Sequence, residues 1–193
     1  MTYYSSDIKK DLTHLEKCKY FDEWLDIVKE ILLNDEFQKR KYFRHHKGRL
    51  WDHVTEVSYY SFLMAKVHHA DSKVCAIAGL LHDFYPKAYK YSKELDEIDH
   101  DYVTDVKKKQ SIFKMHGFSH AEAAAINSKK YFPNLVDDKI FSIIKTHMFP
   151  LNISKIPKYK EGWIVTYVDK KLSIGLINKI RYMIDKDKKT VDY

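Results

Sequence analysis

The chain has 193 residues, of which 45% are hydrophobic and 32% are charged, and this composition is typical of one soluble globular domain and excludes global disorder. With 5 glycines and 4 prolines, the sequence disfavours turn-rich β-sandwiches and barrels and favours an all-α fold. The net charge of +7 comes mainly from lysine, and this favours attraction of small anions over specific binding of nucleic acid, which depends more on arginine.

The sequence pattern favours the cytoplasm over export or insertion into a membrane. The N-terminal segment is polar, and no apolar run approaches the roughly 20 residues that span a bilayer, so we expect a cytoplasmic protein that does not enter a membrane. Cys18 and Cys75 lie far apart and predict neither a disulfide framework nor a CxxC site. Nothing in the pattern indicates an oligomeric state.

The N-terminal half predicts three helices in chain order. Apolar residues at helical spacing indicate a packing helix over residues 20–33 and a second helix over residues 51–68. A third begins at Asp71 or Ser72 and continues through VCAIAGLLHDF, and its small residues allow a close helix contact. The predicted core positions of the first two helices are Phe21, Trp24, Leu25, Val28, Ile31, Leu32, Val54, Val57, Ser61 and Met64, and the small residues are Ala76, Ala78 and Gly79.

The C-terminal half begins with a polar connection over residues 85–113, for which we expect a lid-like exposed segment of undetermined role. A capping box formed by Ser119 and Glu122 predicts the start of the next helix. Two more helices are predicted over DDKIFSIIKTHM and EGWIVTYVDKKLSIG, and a strand is the alternative for the β-branched part of the last segment.

The sequence contains 11 histidines, and several lie at the ends of predicted helices or beside a carboxylate. His82 and Asp83 end an apolar helix, so an imidazole and a carboxylate lie at the edge of the core. A buried carboxylate is costly unless a cation neutralises it, and the pair therefore predicts a metal site. The histidines that we interpret as structural or solvent-exposed are His14, His68, His69 and His100.

Five segments in a fixed order resemble the signature of the HD-domain metal-dependent phosphohydrolases. They are His53, LLHDF, HGFSHAEAA, IIKTH and TYVDKK, and the resemblance covers residues 44–175. It implies a single-domain, all-α, HD-type helical bundle with the metal site between helices. Residues 1–43 would form an N-terminal helical segment packed on the HD domain of residues 44–175, and residues 176–193 would form a helix end and polar tail.

The resemblance also implies a set of metal ligands. In the two-metal members of the family, the matching positions place one metal on His53, His82, Asp83 and Asp169, and the second metal on His116 and His147 with the Asp83 carboxylate bridging. His82 and Asp83 would be the catalytic pair. Mixed imidazole and carboxylate ligands suit one or two divalent ions of iron, manganese, zinc, cobalt or nickel.

The HGFSHAEAA segment departs from the family pattern. Two-metal members carry a ligand histidine followed four residues later by Gly and then Ala, and this alignment makes His116 the ligand and puts His120 where the family has Gly. His120 is then either a substrate contact or proton donor in the cleft, or a solvated surface residue. If the other alignment holds, His120 replaces His116 as the ligand.

Other candidates for binding substrate flank the metal ligands. Many family members have Lys three residues after the Asp of the HD pair, where this chain has Pro86 followed by Lys87. The basic segment RHHKGR precedes His53, and Arg44, His46 and Arg49 within it could reach a bound phosphate. We assign His45 and Lys47 to the surface.

The function that the resemblance implies is metal-dependent hydrolysis of a phosphate ester or anhydride by a metal-activated water molecule. The substrate would be a nucleotide or another small phosphorylated metabolite, and the set of histidines is similar to that of the bacterial diadenosine tetraphosphatase branch. The alternatives are a non-catalytic nucleotide-sensing HD domain and a single-metal nucleoside monophosphate phosphatase.

Overall fold

The computed structural model describes residues 9–15, 19–45, 48–85 and 120–176, and 67% of the described residues are helical. The all-α class predicted from composition is therefore confirmed, with one short antiparallel ladder added, in which Arg44 pairs with Arg49 and His45 with Gly48. The elements in chain order are α1 (Phe21–Leu32), α2 (Asp35–Gln38), a 3-10 turn (Lys39–Lys41), β1 (Arg44–His45), β2 (Gly48–Arg49), α3 (Leu50–Val67), α4 (Ser72–Leu81), α5 (His120–Tyr131), α6 (Asp138–Thr146) and α7 (Lys160–Ser173).

Helix α3 is the centre of the bundle. It packs most extensively on α4 and α7, and its buried residues lie on all sides of the helix, including Tyr59 and Phe62. The predicted core positions of this helix, Val54, Val57, Ser61 and Met64, are all buried. Burial extends beyond them because neighbours pack on several sides of α3. Two hydrogen bonds of Ser58 join α3 to α1 and α4. Trp24 Nε1 donates to Ser58 Oγ at 2.9 Å, and Ser58 Oγ donates to the Ala76 carbonyl at 2.7 Å.

The close contact predicted from the small residues of α4 is confirmed at Gly79. A Cβ atom at this position would lie 2.9 Å from the Cα of Ser58 and 3.2 Å from the carbonyl oxygen of Val57. The backbones of α3 and α4 therefore approach more closely than any side chain would allow. This approach brings the C-terminal end of α4 against the N-terminal half of α3.

The ends of three helices differ from the sequence predictions. Helix α4 stops at Leu81 and not at Phe84, so His82 and Asp83 lie in the turn that follows it. Helix α6 begins after its cap, Asp137, whose side chain accepts from the Ile140 N–H at 2.7 Å. Helix α7 runs from Lys160 to Ser173 and so ends two residues before the predicted segment does. Because this whole range is helical, the alternative of a strand in this segment is excluded.

Several sequence predictions lie outside the described residues: the lid-like connection beyond Tyr85, the cap at Ser119, and the tail after residue 176. The domain boundaries stay predictions. Cys75 is buried, and burial raises the pKa of its thiol. None of the helices in the described ranges combines the length and the apolar composition that crossing a membrane requires.

Candidate metal centre

Five helices, or the turns that follow them, supply the side chains of one cluster in the bundle. His53 lies in the first turn of α3, and His82 and Asp83 follow the last residue of α4. His120 is the first residue of α5, and His147 caps the C-terminus of α6. Asp169 lies inside α7, where it is 4% exposed. The cluster therefore depends on the packing of α3, α4, α6 and α7, together with the start of α5.

One half of the cluster, which we call the first half-site, contains His53, His82, Asp83 and Asp169. The Nε2 atom of His53 lies 3.2 Å from Asp169 Oδ1. The Nε2 atom of His82 lies 3.6 Å from Asp169 Oδ1 and 3.6 Å from Asp83 Oδ2. The His53 and His82 rings meet edge to face, with centroids 5.4 Å apart. Two imidazoles and two carboxylates thus surround one small volume.

The other half, the second half-site, contains Asp83, His120 and His147. The Nε2 atoms of His120 and His147 lie 3.2 Å apart. Asp83 Oδ1 lies 3.5 Å from His120 Nε2 and 3.8 Å from His147 Nε2. Since Asp83 directs Oδ2 toward His82 and Oδ1 toward this pair, its carboxylate lies between the two half-sites.

Backbone carbonyls orient two of the imidazoles. His82 Nδ1 donates to the Gly79 carbonyl and His147 Nδ1 donates to the Ile144 carbonyl, both at 2.8 Å. A carbonyl oxygen only accepts, so each Nδ1 carries a proton, and in a neutral ring the lone pair is on Nε2. Both Nε2 atoms face the cluster. A histidine whose other ring nitrogen donates to a backbone carbonyl is the usual arrangement of a metal ligand.

The electrostatics of the cluster differ between its two most buried histidines. Burial, together with the positive charges of His82 and His120, lowers the pKa of His147 to about 3, so this imidazole is neutral at neutral pH. Burial also acts to lower the pKa of His82, but the charges of Asp83 and Asp169 outweigh burial and raise that pKa above its ordinary value. The centre of the cluster thus favours a positive charge, and His147 has the neutral form that a metal requires.

Asp169 remains charged although it is buried. Burial acts to raise its pKa, but His53, His82 and Lys170 outweigh burial and hold the pKa of Asp169 well below its ordinary value. A buried carboxylate that stays ionised needs cationic neighbours. The neighbouring histidine and lysine side chains supply them.

The donor set fits a divalent metal. The cluster contains three groups of three residues, and within each group the ligand atoms lie within 4.8 Å of one another. The groups are His53 with His82 and Asp83, His82 with His147 and Asp169, and Asp83 with His120 and His147. Two nitrogen ligands about 2.0–2.1 Å from one ion lie about 2.9–3.4 Å apart, depending on geometry. The spacing of 3.2 Å between His120 and His147 is within this range. His82 Nε2 is buried and makes no hydrogen bond, as expected for an atom that can bind a cation.

The structure brings together five of the six residues to which the sequence analysis assigned a metal. These are His53, His82, Asp83, His147 and Asp169. His116 lies outside the described residues, and its assignment stays a prediction. His120, which the favoured alignment treats as a substrate contact or surface residue, is 9% exposed and contributes to the second half-site.

The remaining candidate residues lie elsewhere or outside the described ranges. Arg44 is in β1, and Arg49 is exposed and forms a bidentate ion pair with Asp52, at 2.8 and 2.9 Å. His46 and Lys87 are outside the described residues. The assignments of Arg44, His46 and Lys87 as substrate-binding residues stay predictions, whereas the described side chain of Arg49 is engaged by Asp52.

Two residues of α7 that the sequence analysis did not single out contact the cluster. Lys170 Nζ lies 2.6 Å from Asp169 Oδ2, and Ser173 Oγ donates to Asp169 Oδ1 at 3.3 Å. Only the contact of Ser173, four residues after Asp169, follows from helical spacing once α7 is assigned as a helix, because adjacent residues such as Asp169 and Lys170 do not face each other on a helix. The signal is not specific, because lysine and serine are common on exposed helix faces.

A third feature that the sequence did not predict is a set of ion pairs at α5 and α6, the helices that carry the imidazoles of the second half-site. Glu122 on α5 forms ion pairs with Lys145 on α6 and with Lys155, both at 2.8 Å. Hydrogen bonds from both lysines lower the pKa of Glu122. Because Glu122 follows His120 by two residues and Lys145 precedes His147 by two, these ion pairs join the two helix ends that hold the imidazoles.

Comparisons of the chain with protein-family models, with curated proteins and with solved structures found no match.

Proposed function

We propose that this chain is a metal-dependent phosphohydrolase of the HD type that acts on a nucleotide or another small phosphorylated metabolite. The observation that supports it most is the orientation of His82 and His147, whose Nδ1–H groups are bound to backbone carbonyls while their Nε2 atoms face two carboxylates. The ordered sequence segments that resemble the HD family supply these same residues. Neither a structural core histidine nor a surface ion pair requires this arrangement.

In this proposal the first half-site would hold one divalent ion and the second half-site would hold another. The division of the Asp83 oxygens between His82 on one side and His120 and His147 on the other supports a role for Asp83 in both half-sites. The same feature favours the two-metal type over a single-metal nucleoside monophosphate phosphatase. Iron, manganese, zinc, cobalt and nickel all suit this ligand set.

The chain's own groups determine where a substrate would approach. Side-chain exposure is highest at Asp83 (15%), His120 (11%) and His53 (10%), whereas His82 and His147 are 0% and 1% exposed. A phosphoryl group would therefore meet the cluster at the edge formed by Asp83, His120 and His53.

Divalent ions bound at such a site would neutralise the charge of the phosphoryl group and lower the pKa of a water molecule. The protein contributes by burying the ligands, which weakens solvent screening, and by fixing their direction before substrate binds. Asp83 is the residue on which both half-sites depend.

The test begins with elemental analysis of the purified chain, followed by a phosphate-release screen over nucleotides, dinucleoside polyphosphates and sugar phosphates. We expect one or two transition-metal ions per chain and release of phosphate from at least one class. His82→Ala should lower the metal content and abolish phosphate release, while His69→Ala, outside the cluster, should change neither. When hydrolysis is carried out in ¹⁸O-labelled water, a single turnover should place one solvent oxygen on the released phosphate.

Three results would reject the proposal or redirect it. A chain that purifies without metal and takes up none would remove its basis. A metal-loaded chain that binds nucleotides without hydrolysing them would instead be a non-catalytic nucleotide-sensing protein. A phosphorylated side chain trapped during turnover would exclude direct attack by water.

A further inference from the structure

The carboxylate of Asp169 has its two oxygens in different surroundings. Oδ1 faces the first half-site, at 3.2 Å from His53 Nε2 and 3.6 Å from His82 Nε2. Oδ2 is bound by the ammonium of Lys170 at 2.6 Å. The Asp169 side chain is 6% exposed and that of Lys170 is 30% exposed, so the ion pair reaches from the interior to the rim of the cluster.

A carboxylate can bind a metal through either oxygen, and rotation about its last bond changes the direction in which each oxygen points. An ammonium 2.6 Å from one oxygen restricts this rotation, because turning the carboxylate plane away from its present orientation would lengthen that contact. Ser173 Oγ, at 3.3 Å from Oδ1, adds a weaker restraint on the other side. The result is one oxygen held away from the imidazoles and one presented to them.

Lys170 is itself held in place. Its Nζ lies 3.6 Å from the Sδ atom of Met148, the residue that follows His147. The lysine side chain therefore extends from α7 toward the end of α6. An ammonium engaged with a buried carboxylate is not available to a substrate phosphate unless this ion pair breaks.

We propose that Lys170 is a positioning residue of the metal centre, which holds Asp169 so that only Oδ1 faces the first half-site. The inference rests on the proposed metal centre and extends it to a residue outside the ligand set. Groups that orient a metal's ligands commonly change metal affinity by about 10–100-fold when they are removed.

The experiment measures binding of Co²⁺ alone, by calorimetry and by its visible absorption spectrum, to the full chain stripped of metal. Lys170→Met removes the ammonium but keeps a side chain of similar length, and we expect its Co²⁺ dissociation constant to rise about 10–100-fold with an altered spectrum. Lys170→Arg retains a cation that can bind Oδ2 and should restore the affinity to within a few fold. The matched control is Lys171→Met, because Lys171 is the next residue of α7 and its Nζ lies 5.4 Å from the Tyr167 ring, away from Asp169.

Wild-type affinity and spectrum in Lys170→Met would overturn the proposal, as would equal losses in Lys170→Met and Lys171→Met. If Co²⁺ binding is unchanged and only KM for a phosphorylated substrate rises, Lys170 is a substrate contact and the positioning role is wrong. If Lys170→Met does not fold, Lys170→Gln replaces it, since glutamine keeps a hydrogen-bond donor but has no charge. For this variant we expect a smaller rise in the Co²⁺ dissociation constant.

The Co²⁺ measurements contain no substrate. A wild-type chain that binds Co²⁺ but releases no phosphate would contradict the proposed function and still allow Lys170 to be tested. A wild-type chain that binds no Co²⁺ would contradict both.

Discussion

Asp83 is the residue on which both halves of the cluster converge. Its Oδ2 lies 3.6 Å from His82 Nε2, while its Oδ1 lies 3.5 Å from His120 Nε2. At 15% exposure, its side chain is the most accessible in the cluster, so replacing it causes less disturbance to the core than replacing Asp169 would. Asp83 is therefore the clearest position at which to test the shared carboxylate.

Asp83→Ala should lower bound metal from two ions toward none and abolish phosphate release, because each half-site loses a carboxylate. Elemental analysis and metal titration measure this loss. Asp52→Ala is the matched control, since Asp52 lies beside His53 in α3 but pairs with the exposed Arg49. Full metal content and activity in Asp83→Ala would falsify the assignment of Asp83 to the site.

His120 and His116 are distinguished by a second experiment. Because His120 Nε2 lies 3.2 Å from His147 Nε2, His120→Ala should reduce the metal content from two ions toward one and leave the first half-site loaded. The sequence pattern makes the same prediction for His116→Ala. The metal content of each variant shows whether the second ion depends on one histidine or on both, with His14→Ala as the control outside the cluster.

If His116→Ala alone loses metal, then the 3.2 Å contact of His120 is a hydrogen bond between imidazoles and not a shared ligation.

At the scale of the elements, the contact between α3 and α4 connects packing to the site. Gly79 allows the two backbones to approach, and its carbonyl also accepts the hydrogen bond from His82 Nδ1. One residue thus determines both how closely α4 packs and how the His82 ring is oriented.

Gly79→Ala should destabilise the protein by about 1–3 kcal/mol, because its Cβ would lie 2.9 Å from the backbone Cα of Ser58 and the helices would have to separate. Urea denaturation measures the free energy of unfolding. Gly162→Ala is the comparison, since its Cβ would meet the Cβ of Pro157 at 3.1 Å and a side chain can adjust more easily than a backbone. Equal stability of Gly79→Ala and the wild type would show that α4 can shift without cost.

At the scale of the whole molecule, Glu161 connects α7, to which it belongs, with the start of α4 and with α6. Its carboxylate accepts from the Asp71 N–H at 3.0 Å, before α4, and pairs with Lys139 of α6 at 3.1 Å. Burial acts to raise the pKa of Glu161, but the Asp71 N–H and Lys139 outweigh it and lower that pKa. The thiol of Cys75, on α4, faces the Glu161 carbonyl.

A carboxyl group whose pKa is lower in the folded than in the unfolded chain stabilises the fold above its unfolded pKa, and this stabilisation is lost as pH falls through the folded value. Glu161→Gln should therefore cost about 1.5–3 kcal/mol at neutral pH, and the difference from the wild type should shrink below about pH 4.5. Unfolding measured from pH 7 to pH 3 tests this, with the exposed Glu30→Gln as the control. A difference that stays constant over this range would mean that the Glu161 charge does not contribute.

The sequence by itself determined the helical class, the approximate bounds of α1 and α3, and the identity of most of the cluster. The spacing of apolar residues predicts the helical class and these bounds, because a helix with 3.6 residues per turn shows a periodic apolar pattern wherever one face is buried. His82 and Asp83 could be singled out because adjacent imidazole and carboxylate groups at the end of an apolar helix need a cation nearby. The assignment of His53, His147 and Asp169 required a resemblance in the order of five segments, since no local pattern relates these residues to one another.

Tertiary structure decided what depends on distance between elements. The burial of α3 on all sides follows from the helices packed around it, and the place of His120 follows from the approach of the start of α5 to the end of α6. Lys170 differs from Lys171 only by the direction in which α7 presents it, toward Asp169 Oδ2 rather than toward Tyr167. Sequence records the chemical type of each side chain, whereas its partners are set by the helix packing that brings distant segments within 3–4 Å, and the chain order does not contain those distances.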